Sequence, residues 1–195
     1  MPVVNRTLII INVLVFLLQP SLGSKGIYLA LWPLQQGSPF YPWQLVSYGF
    51  LHSGITHLLV NMLALYMFGG DLERLWGPRR YLQLYFASIV SAGLVQMLFQ
   101  SASGHAVPTV GASGAVFGVL LGFAMYFPKR IIVPLIPPIP MPAPVFVGLY
   151  GALELYLGVT GTQQGVAHFA HLGGMLGAWL LIQYWRGRPP FARGG

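Results

Sequence analysis

Cysteine is absent from the 195-residue chain, which excludes disulfides, thiolate metal sites and a cysteine nucleophile and leaves the redox compartment unread. Acid is nearly as scarce: Asp71, Glu73 and Glu154 are the whole complement, against ten Lys and Arg. Charged residues total 7%, where a soluble domain carries about a quarter. What fills the chain instead is apolar. Hydrophobic residues make up 55% and the mean hydropathy is +0.68, the composition of a membrane protein, and the length of its apolar runs makes an all-α one the expectation. The net charge of +7 does not make it a nucleic-acid binder, because the basic residues sit at the ends of apolar runs and form no stripe.

Six apolar runs suit membrane spans: about 4–18, 57–70, 81–99, 113–127, 144–159 and 167–184. The first is read as a retained helix, since no small-x-small cleavage site follows it. The connection from Gln19 to Thr56 is long and carries Tyr28, Trp32, Phe40, Tyr41, Trp43 and Tyr48, amphipathic aromatics that suit a membrane–water interface. Asp71, Glu73 and Arg74 close the second run, and the polar stretch Gln100–Pro108 leads into the fourth. Seven prolines between Pro128 and Pro144 rule out a continuous helix and predict an extended or turn-rich connector. With both termini cytoplasmic, that side receives Arg6, Arg74, Arg79, Arg80, Lys129, Arg130, Arg186, Arg188 and Arg193, and the other side only Lys25.

Three of these runs carry a polar residue at one depth. Sixteen residues separate Ser113 from Lys129, fifteen His171 from Arg186, and fourteen His57 from Asp71. At about 1.5 Å per residue these are roughly 24, 22 and 21 Å, several ångströms short of a core about 30 Å thick. Asn61 follows His57 by four and shares its helix face one turn deeper.

A serine becomes a nucleophile when a neighbouring base takes its proton, and imidazole titrates in the range to do so. Acyl transfer also needs oxyanion donors, for which the Ser113 amide at a helix start, the His57 ring and the Asn61 amide are candidates. No acid is evidently placed to orient His171, so a Ser–His dyad is expected rather than a triad. Each residue also has a plainer reading. Gly111 to Ala115 and Gly114 to Gly118 are small-xxx-small spacings that pack helices closely. His168 and His171 can be interfacial rings, and Asn61 an interhelical hydrogen-bonding residue. Glu154 is unassigned, expected to be neutral and hydrogen-bonded, with a Gln replacement leaving activity largely intact. The chemistry calls for no metal or organic cofactor.

His57-Leu-Leu-Val-Asn61, Gly111-Ala-Ser113-Gly114 and Ala170-His171-Leu-Gly-Gly174 together resemble the rhomboid intramembrane serine proteases, over roughly Trp43 to Ala178. The resemblance implies a six-transmembrane-helix bundle with a site open to the extracytoplasmic side. It implies Ser113 as nucleophile, His171 as general base and then acid, and His57, Asn61 and the Ser113 amide as the oxyanion hole. In a supporting part, Gly111 would let substrate backbone come close, with Gly114 completing the serine motif. Phe117 would pack on the His171 ring, and Gly174 would let the sixth helix approach the fourth. His52 would have a structural hydrogen-bonding role, and His168 falls outside the motif. A Trp-Arg pair that some members carry in the first loop is absent, and the chain is read as a minimal core in a prokaryotic cytoplasmic membrane. Expected partners are lipid and protein substrates with transmembrane helices, met sideways near the fifth helix or the first loop. The alternatives are a non-proteolytic membrane-helix binder or quality-control protein, which the intact Ser–His pair argues against, and a small transporter using Glu154, which lacks paired intramembrane charges.

Overall fold

The computed structural model describes residues 1–35, 37–104, 107–134, 137–161 and 167–191. His105 of the polar loop, part of the connector before the last helix, and Arg193 from the charge count lie outside the described residues. The chain is almost entirely helical: α1 Val3–Leu18, α2 Gln44–Ser47, α3 Ile55–Ala64, α4 Gly70–Ser103, α5 Ser113–Tyr126, α6 Ala143–Thr160 and α7 His168–Arg186. Among the described residues, three helical stretches are long and apolar enough to cross a membrane, namely Val3–Tyr28, Ile55–Ser103 and Ala143–Thr160, and Ser113–Tyr126 is a shorter apolar helix.

The second and third apolar runs are not separated by a loop. α3 widens through a π-helical turn at Leu65–Gly69 and passes directly into α4. The change of direction comes at Gly77, where φ is +79°, followed by Pro78. Proline has no N–H to continue the ladder and disfavours helical backbone in the residue before it, and glycine adopts the left-handed conformation without a Cβ clash. Asp71, Glu73 and Arg74 therefore lie inside a helix instead of ending one. Glu73 is buried, and its carboxylate accepts the Val4 and Asn5 backbone N–H groups at 2.9 and 2.7 Å, capping the start of α1. Asn5 in turn donates to the Leu65 carbonyl at 2.8 Å, inside the widened turn, and accepts the Tyr81 hydroxyl at 2.7 Å. One polar knot thus binds α1 to both halves of the bent helix.

α5 is the central column, with every residue from Gly114 to Leu120 buried. Its glycine ridge is what lets neighbours close in. A Cβ at Gly114 would strike Ala92 of α4, and one at Gly118 would strike Ser88 and lie 3.1 Å from the Gly174 carbonyl of α7. α7 answers with Gly173 facing Ala92 and Val95, and Gly174 facing Gly114. Small-residue packing is how such helices associate in lipid, where apolar burial alone gives little. α6 differs: Ala143 and Val147 near its start and Glu154 further on are its buried residues.

The proline-rich connector forms a two-residue antiparallel ladder, Ile131–Ile132 (β1) against Met141–Pro142 (β2). Asp71 with Arg74 and Arg130 makes exposed ion pairs nearby, of small energetic consequence. In the first long connection, a 3₁₀ stretch carries α1 on to Tyr28. Buried Gln44 then holds the loop by donating to the Tyr28 and Pro39 carbonyls. Leu31 pairs with Thr109 through two backbone hydrogen bonds, and the Tyr48 carbonyl accepts the Gly111 N–H at 2.9 Å. The aromatic loop thereby fixes the strand of chain that enters α5.

Candidate functional site

Ser113 is the first residue of α5, where backbone N–H groups have no partner within the helix. Its Oγ lies 2.8 Å from Nε2 of His171, on the first turn of α7. The fold forces this proximity. A Cβ at Gly174 would fall on the Gly114 carbonyl oxygen, so only the glycine allows α5 and α7 to approach as they do. His171 is 8% exposed. Phe117, one turn below Ser113, stacks on its ring with centroids 4.3 Å apart and planes 5° from parallel. Tyr150 of α6 stacks on the outer face of Phe117 at 5.5 Å.

The other edge of the imidazole is also held. Oε2 of Glu154 is 2.8 Å from His171 Nδ1, and the same oxygen is 2.6 Å from His168 Nδ1. The expectation that no acid orients His171 is corrected here, as is the omission of His168. Spacing within one helix could not reveal the contact, because Glu154 and the histidines lie on different helices. The available signal was physical: a lone acid in an apolar run must find partners, and His168 and His171 share one face of a neighbouring run. These three residues also place one ligand atom each within 4.8 Å of one another, a spacing that a metal ion can span.

His57 projects from α3 toward the start of α5. Gly111 sits at φ +131°, a backbone region that favours glycine, and a Cβ there would lie 2.6 and 2.8 Å from Cε1 and Nε2 of His57. The His57 ring itself fills the room in front of Gly111. Ser53 Oγ is 3.0 Å from His57 Nδ1, a contact not foreseen from the sequence. When that hydroxyl donates to Nδ1, Nε2 carries the hydrogen, on the side facing Gly111 and Ser113. Asn61 is buried and donates one amide hydrogen to the His57 carbonyl at 3.0 Å, one turn back in its own helix. His52 is 1% exposed and its ring meets His57 edge-on at 5.1 Å. Its hydrogen bonds run through the backbone, to the Gln19 side chain, whereas its ring nitrogens have no partner among the described residues. Burial, and then the neighbouring His57, lower its pKa to about 4.

Comparison with known proteins places the chain in a family. A model of the rhomboid domain matches residues 39–187. RHOMBOID-like protein 4 of Arabidopsis thaliana is 35% identical over 147 residues, covering 71% of this chain and 33% of that protein. Presenilin-associated rhomboid-like protein A, mitochondrial, of Danio rerio is 31% identical over 156 residues, 76% of this chain and 40% of its own length. Rhomboid protease AarA of Providencia stuartii is 32% identical over 154 residues, 69% and 53% respectively. The chain spans a third to about half of the length of these relatives. By the domain match, these relatives and its apolar helices, the chain belongs to the rhomboid family of integral membrane proteins.

Proposed function

We propose that the protein is an intramembrane serine endopeptidase that cuts the transmembrane helices of other membrane proteins near their extracytoplasmic end. The observation that carries this reading is the 2.8 Å contact between Ser113 Oγ and His171 Nε2, braced by Phe117, in a fold whose relatives include proteins named as proteases. The Ser113 hydroxyl gives its proton to Nε2 as Oγ bonds to the scissile carbonyl carbon. The oxyanion then formed is met by the Ser113 N–H and the His57 Nε2–H, with Asn61 adjoining. His171 returns the proton to the leaving amine as the C–N bond breaks. Water, deprotonated by the same ring, hydrolyses the acyl-enzyme and restores Ser113.

In this reading the chain crosses the membrane six times with both termini cytoplasmic. The reading is supported by the bend at Gly77–Pro78 within the Ile55–Ser103 helix, which allows two crossings, and by the placing of the basic residues at the ends of the apolar runs. A membrane helix hides its scissile bonds in its own hydrogen bonds, so the preferred substrates are those with helix-breaking or small residues at the cut. The thinly buried α6 is the side on which a substrate helix approaches. A fluorophosphonate tests the nucleophile. It labels Ser113 in the wild type, and neither Ser113→Ala nor His171→Ala is labelled. Equal labelling of the folded Ser113→Ala variant sinks the assignment.

A further inference from the structure

Glu154 is 7% exposed, in a helix that otherwise buries Ala143 and Val147. An ionised carboxylate only accepts hydrogen bonds, so a carboxylate in contact with both Nδ1 atoms fixes the hydrogen of each ring there. For His171 that leaves a lone pair on Nε2, facing Ser113 Oγ, which is the tautomer a general base needs. A protonated Glu154 donating to His171 reverses the arrangement. The hydrogen then sits on Nε2, and the ring donates to Ser113 instead of taking its proton. His168 favours the first arrangement. Among the described residues its Nε2 is buried with no hydrogen-bond partner, and a ring with its hydrogen on Nδ1 leaves no buried N–H unmet there. His168 then donates from Nδ1 to the Glu154 carboxylate.

We infer that Glu154 is a positioning residue: resting on the serine-protease reading, its carboxylate locks His171 as the Nδ1–H tautomer and balances the imidazolium that forms when Ser113 gives up its proton. His168 is the second donor on the same oxygen and holds the carboxylate in line. The hydrolytic unit is therefore Ser113, His171 and Glu154 in series, drawn from α5, α7 and α6, rather than Ser113 and His171 alone. The earlier expectation that Glu154→Gln leaves activity intact is reversed. A Gln side chain can present an N–H to Nδ1 and select the wrong tautomer.

Two measurements on the full chain in lipid bilayers test this. The first uses wild type with ¹⁵N-labelled histidine. The nitrogen shifts of His171 should report hydrogen on Nδ1, and hydrogen on Nε2 overturns the inference without any variant. The second follows cleavage of a model transmembrane substrate. Glu154→Gln should lower kcat by about 10²- to 10⁴-fold with KM unchanged, and Glu154→Asp should recover at least a tenth of the loss on a logarithmic scale. A fall of less than tenfold for Gln, or an equal loss for Asp and Gln, overturns the inference while the protease reading stands. So does abolition of wild-type cleavage by a chelator with restoration by zinc, which makes the three residues metal ligands. If the wild type itself neither cleaves nor is labelled at Ser113, the protease reading fails and takes this inference with it.

Discussion

Gly174→Ala is the substitution whose consequence follows most directly from the packing. A Cβ at position 174 would lie 2.7 Å from the carbonyl carbon and 3.0 Å from Cα of Gly114, and closer still to the Gly114 oxygen. The obstacle is backbone, so no rotamer change relieves it, and α5 and α7 must part by about 1 Å to reach ordinary contact. The serine and histidine sit on those two helices, one and three residues away. The same displacement stretches their 2.8 Å contact to roughly 3.8 Å, beyond hydrogen-bonding range. A misplacement of 1 Å costs about 10²-fold in rate, and overpacking of this kind about 1–3 kcal/mol in stability. The assay is cleavage of a reconstituted transmembrane substrate, with thermal unfolding in the same bilayers. Gly148→Ala is the control, because a Cβ there meets nothing within 4 Å, and it should leave both readouts unchanged. Cleavage by Gly174→Ala at the wild-type rate with native stability would refute the claim that this glycine sets the distance between Ser113 and His171.

Three further outcomes are expected. Phe117→Leu keeps bulk but loses the stack on His171; an aromatic pair is worth about 0.5–1.5 kcal/mol, so kcat should fall about 2- to 12-fold, and an unchanged kcat removes the bracing role. Glu73→Gln leaves one of the two N–H groups at the start of α1 without its charged acceptor. It should cost about 1.5–3 kcal/mol of stability with kcat unaltered, measured by thermal unfolding beside cleavage. His52 is neutral when folded, with a pKa of about 4, and titrates near 6.5 when unfolded. Between those values the unfolded chain binds more protons, so stability falls as pH drops from about 6.5 to about 4. His52→Gln should flatten that dependence in melting curves, and an unchanged slope excludes His52 as its source.

The legible part of the site was the part written within single helices. His57 and Asn61 share a face by spacing alone, and the similar distances of Ser113 and His171 from charged ends anticipated their meeting. The Phe117 stack was anticipated only by family resemblance. What stayed hidden depends on rotation and contact between helices. Glu154 reaches His171 and His168 because α6 packs on α7 with that face inward, which the nearly uniform apolarity of α6 does not encode. Glu73 read as one of the charges closing the second apolar run, whereas its carboxylate turns inward to cap a helix almost seventy residues away. The direct passage from α3 into α4 was equally obscure. Gly77–Pro78 looks like a loop signal, but the helix resumes at once because proline is well tolerated in a first helical turn.

The most direct test is cleavage of a model transmembrane substrate by purified protein in bilayers, wild type beside Ser113→Ala and His171→Ala. The expected result is a cut near the extracytoplasmic end of the substrate helix by the wild type, and none by either folded variant. Wild type that binds the helix without cutting it, or Ser113→Ala that cuts equally well, would contradict the protease reading and leave a membrane-helix binder in its place.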